Sequence, residues 1–200
     1  MTCKTYGVLA VLALAAACAP KIETQPVSAA LEPMPERAPV VGDTTVWAEG
    51  DGQITRTVAQ VSAGQALVED SAGCSFTSAG FAPSTTWKNC DPFTDGSQSY
   101  TVEGDLFPLQ VGNTASYAVK GSNVDGGDWE TVRTCSVKGT AQVTVPAGTF
   151  DTYHVTCNDQ FTTRDFYVAP EIQQTVLFRR LRQRQNETTV QKLVSFTPGL

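Results

Sequence analysis

A single histidine, His154, stands in 200 residues, and none of the six cysteines lies in a C-x-x-C pair. That combination leaves little from which to build a zinc centre. With no G-x-S-x-G turn, no other nucleophile motif and no phosphate-binding loop, no catalytic residue can be assigned, and His154 has no identifiable partner for triad chemistry. Carboxylate pairs such as Glu69-Asp70 read as turn residues rather than as a spaced acid and base. No metal or cofactor is called for. Nor does any apolar run reach the ~20 residues of a permanent membrane helix. Positive charge is scarce as well, 14 basic against 20 acidic residues, which argues against a nucleic-acid partner.

What is present begins with a short apolar run, Tyr6 to Ala17, behind Lys4. A run of that length is a targeting segment. It ends "LALAAAC", small residues directly before Cys18, and so resembles the lipobox of bacterial lipoprotein precursors. The resemblance implies a signal peptide over residues 1–17 and a diacylated Cys18 as the mature N-terminus; the alternative is an ordinary secretory signal cut within "AAACAP". Two or three acyl chains anchor firmly, each buried CH2 contributing about 0.8 kcal/mol. Ala19 in place of aspartate is compatible with outer-membrane sorting on the enteric pattern. Residues 18–40 hold five prolines and no aromatic residue, so they read as an extended, disordered tether. Residues 41–197 then form a single domain.

Four cysteines remain beyond the signal and the lipid site. An even number in an exported chain points to two disulfides, and although three pairings exist, closeness in sequence favours Cys74 with Cys90 and Cys135 with Cys157. Without Lys4, 13 basic and 20 acidic residues give a charge of −7, divided as +3 from Glu171 onward and −10 before it.

The body is written in strand vocabulary. Segments such as "TTVWAEG", "TASYAVKG", "TAQVTVP" and "TYHVTC" are rich in Thr, Val and aromatics and are separated by Gly, Asp, Asn or Pro. In "TYHVTC", Tyr153, Val155 and Cys157 share one face while Thr152, His154 and Thr156 share the other, the pattern of a sheet packed on one side and wet on the other. "VTVPAGTFDTYHV" predicts a hairpin, with Pro146 at the first corner of a type I turn and Gly148 in a three-residue loop with a bulge. Residues 41–48, "VGDTTVWA", echo 111–118, "VGNTASYA". Each copy follows a proline closely and precedes further Thr/Val-rich strands, so a duplicated meander is expected, with a turn glycine entering a strand that buries Trp47 or Tyr117.

"FPLQVGNTASYAVKG", "VTVPAGTFDTYHV", "FYVAPEI" and "VQKLVSF", in that order over the last half of the chain, resemble an uncharacterised family of bacterial periplasmic or outer-membrane β-proteins. Its members carry "PL-x-VG" and "V-x-AGTFD-x-Y" phrases. Here Gln173 and Gln174 stand where a glycine is common, and Phe166 replaces a usual tryptophan. The resemblance implies a fold related to the curved half-barrels of the lipoprotein-localisation carriers, whose concave face receives acyl chains. The expected fold class is therefore all-β: a curved antiparallel sheet, half-barrel or barrel-like meander, from two related units.

Residues 170–186 combine helix-favouring Gln, Arg and Leu with a Pro170-Glu171 start, yet "VLF", "NET" and "TVQKLVSF" make a long hairpin, which the resemblance also implies and which is the expectation. Arg180, Arg182 and Arg184 then share a face as candidates for contact with anionic headgroups, while Arg179 lies on the other. A solvated edge that discourages strand pairing explains the same stripe. The disulfide-closed stretch 74–90 presents Phe76, Phe81 and Trp87 as a candidate binding loop or an end cap. "NVDGGDWE" (123–130) reads as an exposed turn rather than a calcium loop. Two functions are in contention: a lipid-anchored envelope module that binds an apolar ligand, a lipid or a partner protein, and a structural accessory lipoprotein with no small-molecule ligand. The anchor implies a cell-envelope location, most naturally the periplasmic face of the outer membrane.

Overall fold

The computed structural model describes residues 22–91 and 94–200. Cys18 and the expected signal segment, residues 1–17, lie outside the described residues. Among those described there are twelve strands and no helix: β1 (Thr44–Glu49), β2 (Gly52–Ser62), β3 (Gln65–Asp70), β4 (Ser75–Ser78), β5 (Thr86–Lys88), β6 (Gly96–Asp105), β7 (Thr114–Asn123), β8 (Gly127–Val145), β9 (Gly148–Asn158), β10 (Thr162–Ala169), β11 (Gln174–Arg182) and β12 (Glu187–Thr197). Each pairs antiparallel with its chain neighbours and β12 returns to β1, so the meander closes into a barrel rather than stopping at a half-barrel. The segment after Pro170 is the expected hairpin, β11–β12. Gln173 sits in the left-handed region at φ 51°.

The two echoed octets occupy equivalent places six strands apart. Gly42 and Gly112 take φ of 88° and 99°, a region open to glycine at no steric cost. Gly42 N donates to Val58 O and Asp43 O accepts from Val58 N; Gly112 and Asn113 make the same two bonds with Val137. Asp43 N and Asn113 N each donate back to the carbonyl three residues earlier, Val40 and Gln110. Trp47 and Tyr117 are then both buried, 6% and 7% exposed. The repeat is architectural.

Both expected disulfides are formed, Cys74–Cys90 and Cys135–Cys157. The second joins direct partners on β8 and β9. The first braces the narrowest part of the wall, where β5 touches β4 through Ser75–Lys88 and Phe76–Trp87 and β6 through Thr86–Ser97 and Trp87–Gly96.

Residues 22–40 are not a loose tether. Gln25 exchanges backbone hydrogen bonds with Gln142 on the part of β8 that extends past β7, covering that edge. Tyr153 Oη donates to the carbonyls of Leu31 and Glu32, at 3.1 and 3.0 Å. Met34 and Leu109 exchange backbone bonds, and the Met34 side chain is 5% exposed in a core cluster with Leu106, Tyr153 and Val155. Arg37 grips the Asp43 carboxylate with both nitrogens, 2.5 and 2.8 Å, and that carboxylate also accepts from Val40 N and Gly199 N. The prolines keep the segment extended, but backbone pairing and the apolar Leu31 and Met34 dock it as a strap across the end of the barrel at which β1 begins, here the upper end.

The β8–β9 hairpin also departs from expectation. Its loop is the two residues Pro146–Ala147, with Gly148 already paired to Val145 and at φ 143°. Beyond the bulge at Val137/Gly139 it extends to a second cluster with β10, β11 and β12, in which Val143, Phe150, Tyr167, Leu177 and Leu193 are buried and Ala147 N donates to Leu193 O. Strand faces predicted to be wet are covered as a result: Thr152 is 0% exposed and Thr156 is buried. Alternation in one strand cannot report what later packs on its polar side.

Candidate functional site

A twelve-strand barrel is wider than the eight-strand cylinder that side chains alone can fill. The first core cluster fills the β6–β9 side with Leu106, Leu109, Tyr117, Tyr153 and Val155. Opposite it, under the strap, a chamber of about 580 Å³ remains. Its lining is mostly apolar and aromatic, with Trp47, Phe76, Phe166, Phe178 and Phe196 from the walls and Met34 from the strap. Inward positions on successive strands supply it: Phe76 faces Val68 across β4–β3, and Phe166 faces Phe178 across β10–β11, their rings 5.0 Å apart. Phe81 closes the edge, stacked on Phe107 at 5.6 Å and edge-on to Phe166 at 5.2 Å.

Charged and polar side chains also reach the chamber, among them Glu36, Arg37, Asp43, Arg56 and Gln191. Arg56, on β2 opposite Thr45 and Asp70, donates from Nη1 to Gln191 Oε1 at 3.1 Å and lies 6.0 and 5.9 Å from the rings of Trp47 and Phe76. Its Nε is buried without a hydrogen-bond partner. Burial lowers its pKa, although Asp70 and Glu49 pull the other way. At the upper rim burial raises the Glu36 carboxyl, and Asp105 adds to the rise. For Asp43, burial alone would raise the pKa, but the hydrogen bonds from Arg37, Gly199 and Val40 outweigh it and hold the carboxyl below its usual range.

The candidate loop is divided by this geometry. Phe76 and Phe81 line the chamber, while Trp87, the cross-strand partner of Phe76, is not among the lining residues and lies 5.9 Å from Trp129. Those two indoles cover Gly96 and Gly121, where an added Cβ would stand 2.1 and 2.5 Å from the rings. Arg180 and Arg182 face the lumen below Phe178 rather than the outside, and Arg184 leaves the wall in the β11–β12 turn, 5.4 Å over the Phe161 ring. Asp125 and Glu130 of the 123–130 turn are engaged by Thr94 and Lys120.

His154 belongs to a separate cluster that alternation did not reveal. Its ring stacks on Tyr167 at 4.6 Å, and its Nε2 lies 2.9 Å from Asp165 Oδ1, which also accepts from Thr156 Oγ1. Arg179 holds Asp165 Oδ2 through Nε and Nη2, at 2.9 and 2.6 Å. Burial alone would raise the Asp165 pKa; the hydrogen bonds from His154, Arg179 and Thr156, with the charge of Arg179, bring it down to about 2. This carboxylate ties β9, β10 and β11 together.

No protein-family model matches the chain, and no curated protein does. The barrel does have a solved counterpart. A hypothetical lipoprotein, YmcC of Escherichia coli (K12), aligns over 78% of this chain and 85% of its own with a TM-score of 0.50 and 11% sequence identity. At that identity the likeness is one of fold.

Proposed function

We propose that the protein is a lipid-anchored lipoprotein of the cell envelope, held by Cys18 at the periplasmic face of the outer membrane, and that its barrel holds an apolar ligand such as an acyl chain without transforming it. The observation that carries this reading is the aromatic-lined chamber. Its volume falls within the ~300–1,000 Å³ typical of small-molecule sites, and its lining of predominantly apolar walls with interspersed polar groups is the usual composition of one. Two of the charged groups are engaged in structure, Asp43 by Arg37 and Arg56 by Gln191, which suits holding rather than catalysis. Support for a barrel beside the membrane rather than through it comes from the wall. β3, β4 and β5 have six, four and three residues, short of the ~9–11 that a spanning strand needs, and the wall's other face carries Lys120, Glu130 and Thr55. The similar solved barrel, a hypothetical lipoprotein, fits the same picture.

The test is uptake of N-phenyl-1-naphthylamine by the full chain, followed by fluorescence, together with native mass spectrometry of protein purified from its own envelope. The wild type is expected to bind the dye and to carry a lipid-sized adduct. Ala66→Trp, which projects an indole into the chamber, should weaken dye binding by about tenfold or more while the barrel still melts cooperatively. An adduct-free protein that ignores the dye would instead mark a structural accessory with no small-molecule ligand.

A further inference from the structure

Below the chamber the inner wall changes character. Two residues along β10 from Phe166 and two along β11 from Phe178 stand Arg164 and Arg180, direct cross-strand partners that share the face of those phenylalanines. Arg133 on β8 joins them, because its Nε and Arg164 Nη1 both approach Asp159 Oδ2, at 3.5 and 2.8 Å. Arg182 occupies the next inward position and pairs with Glu187 at 3.0 Å.

Like charges directly opposite each other on an antiparallel ladder repel, so the Arg164–Arg180 pair needs compensation. The nearby carboxylates are already engaged. Asp159 takes both Arg133 and Arg164 and the backbone N–H groups of Phe161 and Thr162. Glu187 takes Arg182, and Glu49 accepts from Gln191 at 2.6 Å. Among the described residues no ion pair involves Arg180. The Nε atoms of Arg180 and Arg133 are both buried with no hydrogen-bond partner. Burial, with the charge of Arg164 added, lowers the Arg133 pKa to about 10 against the pull of Asp159, and burial with Arg182 and Arg164 lowers that of Arg180 although Glu49 and Glu187 pull the other way. A folded wall that gathers four guanidinium groups and leaves one of them without a direct ion pair is arranged for an anion from outside.

We propose that Arg164 and Arg180, backed by Arg133, form a binding site for a phosphate-type oxyanion at the lower end of the lumen. The planar guanidinium fork suits tetrahedral oxyanions, and two forks from adjacent strands can grip one phosphate from two sides. The phosphate can belong to a lipid headgroup or be free in solution. Trp87 and Trp129 on the inner wall toward the same end offer half-buried aromatic surface of the kind that suits an amphiphile. The site does not depend on what the chamber holds.

The experiment is calorimetric titration of the full chain, in a non-ionic detergent, with inorganic phosphate, dihexanoylphosphatidic acid and dihexanoylphosphatidylcholine. Binding of the first two is expected, with phosphatidylcholine much weaker because its net charge is zero. Equal affinity for phosphate and phosphatidic acid assigns a soluble anion; preference for phosphatidic acid assigns a headgroup. Arg180→Gln should weaken binding by about tenfold or more. Its melting temperature without ligand should not fall, since the substitution relieves a repulsion. Arg164→Gln should weaken binding to a similar degree and gives a second affinity reading. Silence from both anions, phosphatidylcholine binding as tightly as phosphatidic acid, or unchanged affinity in the variants would overturn the site. So would a large drop in the ligand-free melting temperature of Arg180→Gln, which would make the residue a structural one. The naphthylamine assay on the chamber is unaffected by any of these results, so the two readings fail separately.

Discussion

Asp165 shows how much one side chain can carry. Its carboxylate collects His154, Thr156 and Arg179, and its pKa falls from an ordinary 3.8 to about 2. A group depressed on folding contributes stability that is complete above its unfolded pKa and is lost as pH falls through the folded one. The contribution here is about 2 kcal/mol, present above pH ~4 and gone near pH ~2. Melting curves followed by circular dichroism from pH 7 to pH 2 should therefore show the wild type losing stability across that window. Asp165→Asn should melt lower at neutral pH and respond less to acid; equal acid responses would dismiss this account. Sequence reasoning put His154 on a polar face correctly but could not see its partner. Asp165 lies on the adjacent strand, and the contact depends on the β9–β10 register, which alternation within a single strand does not specify.

At the scale of elements, the strap is the segment the sequence least announced. Proline density and the lack of aromatics argue for an extended, disordered tether, and composition is blind to two apolar residues placed where the barrel can take them. Leu31 and Met34 dock, and backbone exchanges with Leu109 and Gln142 do the rest. Met34→Ala should then cost about 2–3 kcal/mol in a urea unfolding experiment, the usual range for truncating a buried large side chain. A free leash would show no change. The strands themselves were legible because Thr, Val and aromatic runs between Gly and Asx turns leave few alternatives. The octet echo was legible for the same reason, since both copies are short-range turn geometry. The inward facing of Arg180 was not, because the choice of which face of the β11–β12 hairpin points to the lumen is made by closure of the whole barrel.

For the whole molecule, closure rests on an uneven wall. Most neighbouring strands share six or more residue pairs, while β5 meets each neighbour through two. The Cys74–Cys90 bridge spans this joint, closing a loop of 16 residues worth about 3 kcal/mol by chain entropy. Replacing both of those cysteines by alanine should speed amide hydrogen exchange selectively in residues 75–105, whereas replacing Cys135 and Cys157 should raise exchange across β8 and β9. Uniform acceleration in both variants would mean that the joint opens only with the rest of the barrel.

The docked segment also sets a mooring distance. Ile22 already packs against the second cluster, so an acylated Cys18 would have four residues, roughly 14 Å at full stretch, between its glycerolipid and the barrel. If Cys18 carries the proposed anchor, so short a line would keep the barrel from swinging freely and would hold one of its sides turned toward the leaflet.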